Sequence, residues 1–140
     1  MKLIYAFLAF FLTLTTSVQC QQTTGSDLAI TWNENAAALV NLGKNEEAIN
    51  ASDEAIRLDP QLARAWVNKA GALVNLGRNE EAINASDVAI RLDTQLAMAW
   101  ANKASALVNL GKNEEAINAS DVAIRLDPQL AMAWANKAGA

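Results

Sequence analysis

Apolar side chains recur in this chain at the spacing of an amphipathic helix. In one segment they fall at i, i+4, i+7 and i+8 and form the face Trp66, Ala70, Leu73 and Val74. A second pattern follows, with an inner face of Ala82, Ile83, Ala89, Ile90 and Leu92 and an outer face of Asn84, Asp87, Val88 and Arg91. No segment alternates apolar and polar residues as a strand does. The pattern therefore predicts an all-α fold built from pairs of helices.

The residues around these faces predict where the helices begin and end. Gly77 follows the first face, where glycine can take the left-handed conformation that closes a helix. Asn79 is predicted to cap the second helix, because its side chain can accept a hydrogen bond from a free backbone N–H. Asp59 and Pro60 are predicted to end one helical pair and to start the next, with the proline at the first helical position.

The helix–turn–helix unit repeats along the chain with a fixed period. Tryptophan occurs at positions 32, 66, 100 and 134, an interval of 34 residues each time, and segments 63–96 and 97–130 differ at only five positions. Such a period indicates similar units stacked side by side. We predict a solenoid with repeats at 29–62, 63–96 and 97–130 and a truncated fourth repeat at 131–140. A copied unit rarely builds one asymmetric active site, so we do not expect an enzyme.

The repeated residues resemble the tetratricopeptide repeat family over Ala29–Ala140. In the second unit the resemblance depends on Trp66, Ala70, Leu73, Leu76, Gly77, Ala82, Ala89, Leu92 and Asp93, with Pro60 and Pro128 in the flanking units. The resemblance implies antiparallel helix pairs that stack into a right-handed superhelix, with the first helices on the concave side. It also implies a non-catalytic module that holds a peptide or helix of another protein in this groove.

Two positions depart from the family pattern. Serine replaces the usual aromatic residue of the second helix at Ser52, Ser86 and Ser120. The usual aliphatic residue after the tryptophan is replaced by Asn35, Lys69, Lys103 and Lys137. Because a buried aromatic side chain hides about 150–250 Å² and serine hides little, we predict a thin core and marginal stability. We expect the lysines to reach carboxylates such as Asp53 or Asp87, and binding of acidic ligands is the alternative.

A second stripe on the first helix of each unit is predicted to line the concave groove. In the third unit this stripe is Met98, Ala101, Ser105 and Val108. The equivalent residues are Arg64, Val67, Gly71 and Val74 in the second unit, and Ile30, Asn33, Ala37 and Val40 in the first. The stripe continues to Met132 and is flanked by asparagines at Asn68, Asn102 and Asn136 and at Asn41, Asn75 and Asn109.

This stripe predicts a surface that binds a peptide of another protein. Regularly spaced asparagines can pair with the N–H and C=O groups of an extended peptide, and small apolar residues can accept its side chains. Arg64 is the only basic residue on the stripe, so we do not expect recognition of a C-terminal carboxylate. Two alternatives are open. The asparagines could merely solvate the inner surface, or the array could be an extracellular structural spacer without a specific ligand.

The first 20 residues have the layout of a secretory signal peptide. Lys2 is followed by the apolar run Leu3–Leu14, a short polar segment and Cys20. The apolar run is shorter than the roughly 20 residues of a membrane-spanning helix. We expect a cleaved signal at 1–20, a polar linker at 21–28, and a secreted or extracytoplasmic protein that meets a membrane only through the signal. An uncleaved anchor and lipidation of Cys20 are the alternatives.

The composition argues against several classes of function. The chain has no histidine and one cysteine, which removes the commonest general base and most zinc sites. Its net charge of −4 at pH 7, without a basic stripe, argues against binding nucleic acid. The paired glutamates at 46–47, 80–81 and 114–115 fall in predicted first turns, where the helix dipole favours negative charge. We expect no metal, no cofactor and no small-molecule substrate.

Two further features concern modification and length. The triplet Asn-Ala-Ser begins at Asn50, Asn84 and Asn118 and has the form of an N-glycosylation acceptor, although a folded helix is a poor acceptor. The fourth unit stops at Ala140 and leaves Trp134 without a following helix. We expect a fragment of a longer array. A short last helix that a partner or a second copy covers is the alternative.

Overall fold

The computed structural model describes residues 24–140, which form helices connected by short turns. This part of the chain contains seven helices and no strand, which confirms the all-α prediction. The helices are α1 (Gly25–Asn41), α2 (Asn45–Leu58), α3 (Ala63–Asn75), α4 (Asn79–Leu92), α5 (Ala97–Asn109), α6 (Asn113–Leu126) and α7 (Ala131–Gly139). None of these helices is both long and apolar enough to cross a membrane. The predicted signal peptide, with Cys20, lies outside the described residues.

The first helix begins earlier than the sequence predicted. Gly25–Leu28 belong to α1, whereas a linker was expected at 21–28. A capping box explains the difference. The Thr24 hydroxyl oxygen accepts a hydrogen bond from the Asp27 backbone N–H at 3.2 Å, and the Asp27 carboxylate accepts one from the Thr24 N–H at 3.0 Å. These bonds satisfy groups that would be free at the helix end, so α1 extends into the polar segment.

The turn inside each helical pair closes on the predicted glycine. Gly43, Gly77 and Gly111 have φ angles of 73°, 73° and 70°, in the left-handed region. In the second pair the N–H of Arg78 donates to the Leu73 carbonyl at 2.9 Å, which satisfies one of the free carbonyls at the end of α3. The glycine prediction is therefore confirmed at all three turns.

The predicted asparagine cap of the second helix is wrong. Asn79 is the first residue of α4, the N-cap is Arg78, and Arg78 makes no capping hydrogen bond with its side chain. The reason is that the helix begins one residue earlier than predicted, as it also does at Asn45 and Asn113, so the asparagine is not at the N-cap. The side-chain oxygen of Asn79 instead accepts a hydrogen bond from Nδ2 of Asn109 at 3.0 Å. The residue that could have capped its own helix instead joins it to α5.

The turn between pairs depends on aspartate more than on proline. Pro60 lies in the turn and not at the first helical position, since α3 begins only at Ala63. The Asp59 side chain accepts a hydrogen bond from the Gln61 N–H at 3.0 Å, as in an Asx turn. In the next unit the Asp93 side chain accepts the same bond from the Gln95 N–H at 2.9 Å, although Thr94 replaces the proline. The prediction that proline begins the next helix is therefore wrong.

Contacts between helices give the stack its curvature. Consecutive helices pack against each other, and in addition α1 contacts α3, α3 contacts α5, and α5 contacts α7. Within residues 24–140 no two of the even-numbered helices are in contact. Because the odd-numbered helices are close together and the even-numbered helices are spread apart, the odd-numbered helices lie on the concave side. This arrangement places the first helix of each pair along the groove.

The core between the helices is thin. Leu73 and Leu107 are the large apolar side chains that are almost fully buried, each with 1% exposure, and most other buried apolar residues in the described chain are alanine. Ser52, Ser86 and Ser120 are completely buried, and their hydroxyl groups make no hydrogen bond. Small residues at these positions let neighbouring helices approach closely. The thin core is thus confirmed, while marginal stability stays a prediction.

Candidate binding groove

Asparagine side chains join the odd-numbered helices along the concave face. Nδ2 of Asn68 donates to the backbone carbonyl of Asn33 at 3.1 Å and to its side-chain oxygen at 2.9 Å. One repeat later Nδ2 of Asn102 donates to the Val67 carbonyl at 3.1 Å, and Asn136 makes the equivalent bond from α7 at 2.9 Å. Each bond joins two residues that are 35 positions apart in the chain. We call this series the asparagine ladder, and it fixes the register of neighbouring odd-numbered helices.

The ladder changes the picture of the predicted groove. The amide nitrogens that we expected to pair with a bound peptide already donate within the stack. Asn102 is only 5% exposed and bonds to α3, and Ala101 is fully buried in a cluster with Ala123 of α6 and Ala133 of α7, so neither residue lies on the groove surface. Small side chains at such positions let the neighbouring helices approach this closely. Helical spacing locates a face but not the distance to the next helix.

The other predicted groove residues reach the surface to different degrees. Arg64 and Met98 are exposed in the first turns of α3 and α5. The half-buried members of the set are Asn68, Gly71, Val74, Ser105, Val108, Met132 and Asn136. Asn75 and Asn109 are exposed at the ends of their helices. The Nδ2 of each donates at 3.0 Å to an asparagine at the start of the preceding even-numbered helix, so both lie where the odd-numbered and even-numbered helices meet.

Part of the predicted set comes together in one open pocket, which we call the concave pocket. Its volume is about 430 Å³, and its lining residues are Asn33, Glu34, Ala37, Arg64, Val67, Asn68, Leu96 and Met98. Six of them belong to the predicted stripe or its flanking asparagines, namely Arg64, Val67, Asn68 and Met98 together with Asn33 and Ala37 of the first unit. Glu34 and Leu96 were not predicted. Leu96 lies in the turn before α5, and helical periodicity carries no signal for the direction of a turn residue.

The lining of the concave pocket is mostly apolar with a few polar groups. Ala37, Val67, Leu96 and Met98 supply apolar surface, and the carboxamides of the two asparagines supply hydrogen-bonding groups. Arg64 and Glu34 contribute one charge of each sign, so the lining has no net formal charge. Among residues 24–140 there is also no group of three histidine, cysteine, aspartate or glutamate side chains placed to hold a metal ion. The pocket is suited to holding a short segment of chain.

The lysines on the odd-numbered helices form ion pairs, as predicted. Lys69 Nζ lies 2.6 Å from an oxygen of Asp53, and Lys103 Nζ lies 2.7 Å from an oxygen of Asp87. The same pair recurs between α7 and α6 at 2.7 Å. Lys69 also lies 5.7 Å from the centre of the Trp66 ring. Each lysine thus points to the preceding even-numbered helix, and none of them lines the concave pocket.

Comparison with known proteins relates this arrangement to solved structures. The Arabidopsis OM64 TPR domain is 23% identical, with a TM-score of 0.76 over 81% of this chain and 94% of that domain. The second TPR domain of the human RPAP3 protein, solved with the HSP70 peptide SGPTIEEVD, is 27% identical, with a TM-score of 0.73 over 81% and 95%. The TPR2B domain of yeast Sti1, solved as a complex with pHsp70, is 23% identical, with a TM-score of 0.74 over 81% and 96%.

Family models agree with the structural comparison. No curated protein matches the chain. Two models described as tetratricopeptide repeat match residues 33–97 and 97–130, which together cover all three complete helical pairs except the first turns of α1. The second match has the bounds of the third predicted repeat. The order of the seven helices and the likeness to solved TPR domains indicate the same family. The chain belongs to the tetratricopeptide repeat family.

Proposed function

We propose that this protein is a non-catalytic interaction module that holds an extended segment of another protein in the concave pocket. The observation that carries the proposal is the lining itself, which combines apolar side chains, two carboxamides and balanced charge on the inner face of the stack. Pockets of this composition suit a chain whose side chains enter apolar surface while its backbone meets polar groups. The human and yeast TPR domains similar to this chain were solved with HSP70 ligands, which supports a protein partner.

The charges of the lining favour a neutral, apolar segment over an acidic one. The peptide in the human RPAP3 complex, SGPTIEEVD, carries three acidic side chains. In the concave pocket Arg64 is the only cationic residue of the lining, and Glu34 would repel an acidic ligand. The lysines of α3, α5 and α7 pair with aspartates away from this pocket. We therefore expect this chain to bind a segment of different chemistry from that peptide.

Isothermal titration calorimetry with two matched peptides tests this specificity. One peptide is SGPTIEEVD, and the other has its glutamates and aspartate replaced by glutamine and asparagine and its C-terminus amidated. We expect the neutral peptide to bind at least about tenfold more tightly, which corresponds to roughly 1.4 kcal/mol. Preference for the acidic peptide, or binding of neither, would refute the proposed specificity.

A pair of variants tests the location of the site. Met98→Glu places a carboxylate in the concave pocket, whereas Met132→Glu makes the same change one repeat later, outside its lining. We expect Met98→Glu to abolish peptide binding and Met132→Glu to leave the affinity within about twofold, with unchanged helix content in circular dichroism. A spacer array without a ligand would show no difference between the two variants.

We propose in addition that the chain is exported from the cytoplasm. The order of a basic residue, an apolar run and a short polar segment within residues 1–20 supports this proposal. The test is expression with the native N-terminus, followed by cell fractionation and N-terminal sequencing. We expect an extracytoplasmic product that lacks the apolar run. A full-length product in the cytoplasm would contradict export.

A further inference from the structure

The even-numbered helices carry a repeated triplet that peptide binding does not explain. Asn-Ala-Ser occupies residues 50–52 in α2, 84–86 in α4 and 118–120 in α6. Asn50, Asn84 and Asn118 are all exposed. They lie on helices that are spread apart on the convex side, so a group attached to one of them does not enter the concave pocket.

The serine of each triplet is not explained by packing. Ser52, Ser86 and Ser120 are fully buried, and their hydroxyl groups have no hydrogen-bond partner. Buried polar groups normally have a partner, and alanine fills most other buried positions of these helices. Alanine would occupy the same space without an unpaired hydroxyl. An N-glycosylation acceptor does explain the residue, because it requires serine or threonine two positions after asparagine.

The surroundings of Asn84 leave space for a sugar. The residue borders an open pocket of about 220 Å³ between α3 and α4, lined by Trp66, Lys69, Leu73, Glu81, Asn84, Ala85 and Val88. The half-buried Trp66 offers apolar surface, and Lys69 and Glu81 offer charged hydrogen-bonding groups. A pyranose ring has apolar C–H faces and hydroxyl edges, and this lining contains a counterpart for each.

We propose that Asn50, Asn84 and Asn118 are N-glycosylation sites and that each is modified before its helix folds. In the reaction Asn Nδ2 forms a bond to the anomeric carbon of a lipid-linked oligosaccharide. The bond from that carbon to the lipid pyrophosphate breaks, and the pyrophosphate leaves with the electron pair while the amide loses one proton. Because the acceptor serine is fully buried in the folded helix, the transferase can reach the triplet only in the unfolded chain.

This inference rests on the proposed export, because oligosaccharide transfer takes place outside the cytoplasm. Its main test is secretion of the full chain, with its own N-terminus, from yeast cells, followed by intact mass measurement before and after peptide N-glycosidase F. Ser52→Ala, Ser86→Ala and Ser120→Ala each remove one acceptor and leave the asparagine in place. We expect each variant to lose one glycan and the triple variant to have the mass of the bare polypeptide.

The outcomes separate the two proposals. A secreted wild-type chain with the mass of the bare polypeptide overturns glycosylation and leaves export standing. A chain that stays unprocessed in the cytoplasm overturns both. Glycan that persists in the triple serine variant also overturns the assignment to these three sites.

A second experiment tests the order of transfer and folding. Purified oligosaccharyltransferase with a lipid-linked oligosaccharide is offered two unglycosylated full-length chains, the folded wild type and Leu73→Pro. Proline in the interior of α3 removes a hydrogen bond and clashes with the preceding turn, so this chain stays unfolded with its acceptor triplets intact. We expect transfer to the Leu73→Pro chain and at least about tenfold less to the wild type. Equal transfer to both chains would overturn the order of events.

Discussion

The buried serine hydroxyls show how one atom per repeat affects the stability of the stack. A buried hydroxyl that makes no hydrogen bond is destabilising by about 1–3 kcal/mol relative to a satisfied one. Ser52, Ser86 and Ser120 are all of this kind, whereas the hydroxyl of Ser105 donates to the side-chain oxygen of Asn136 at 3.1 Å. The same residue type therefore has opposite effects at two positions in the stack.

Ser86→Ala is expected to stabilise the unglycosylated chain by about 1 kcal/mol, because it removes the unpaired hydroxyl and raises helix propensity. The matched control is Ser105→Ala, which removes a hydroxyl that is bonded. It is expected to lower the free energy of unfolding by about 0.5–1.5 kcal/mol. Urea unfolding followed by circular dichroism measures both, and a change of the same sign in the two variants would contradict this account.

The sequence identified these serines but not their environment. The resemblance to the family showed that an aromatic residue was missing, and the thin core followed from that. That the hydroxyl has no partner depends on distances of a few ångströms between side chains on different helices. Spacing along the chain contains no such distances, and the same limit hid the burial of Ala101 and Asn102.

Among the helices, the ends are where prediction and structure differ. The apolar faces predicted each helical pair, because periodicity in a helix is a property of many residues together. Each helix end depends on one or two residues, and so few residues leave no periodic signal in the sequence. Asn79 bonds to Asn109 and does not cap α4, and the Asp27 carboxylate extends α1 into the segment expected to be a linker.

The capping box of α1 makes its first turn sensitive to acid. Hydrogen bonds from the Thr24 hydroxyl, and then from its backbone N–H, lower the pKa of the Asp27 carboxyl below its ordinary value of 3.8. The folded-state pKa is depressed, so the stabilising contribution is present above pH 3.8 and is lost as the pH falls through the lowered pKa. NMR titration should give Asp27 a pKa below 3.8 that rises toward that value in Thr24→Val. An unchanged pKa in the variant would exclude the bond from the Thr24 hydroxyl as the main cause.

Two glycines of the second repeat are expected to respond in opposite ways to alanine. Gly71 lies inside α3, where an added Cβ would lie 3.6 Å from Nδ2 of Asn102, an ordinary contact. Gly71→Ala should therefore stabilise the chain by about 0.5–1 kcal/mol. Gly77 has a φ of +73°, so Gly77→Ala should destabilise it by about 1–2 kcal/mol. Thermal unfolding of both variants checks this order. The melting temperature of Gly71→Ala should lie above that of the wild type, and that of Gly77→Ala below it.

The whole molecule is stabilised by contacts between neighbouring helices and not by one central core. Every helix packs on the next helix and, if odd-numbered, on the next odd-numbered helix, so a change in one repeat is felt mainly by the repeats beside it. The period of the sequence predicted this architecture. It did not predict the asparagine ladder, because the period shows that the residues recur but not that they reach the carbonyls of the neighbouring helix.

The thin core predicts modest thermal stability and a strong dependence on single leucines. The full chain is expected to melt between roughly 45 and 65 °C, as mesophile domains do, and a midpoint above about 80 °C would contradict the prediction. Leu73→Ala should lower the free energy of unfolding by about 3 kcal/mol, because this side chain is 1% exposed. Leu39 is half-buried at the equivalent position of α1, so Leu39→Ala is the matched control. It should lower the free energy of unfolding by less than Leu73→Ala does. Calorimetric melting of the three chains compares them.

The asparagine ladder also bears on how such an array changes in length over evolution. Each of its amides donates to a main-chain carbonyl, an atom that every residue type provides. Loss or gain of a complete copy by recombination between near-identical stretches of the gene brings a new asparagine opposite an equivalent carbonyl, and no compensating substitution is needed at the new junction. Repeat number can therefore vary among descendants without a redesigned interface, and the length of the groove varies with it.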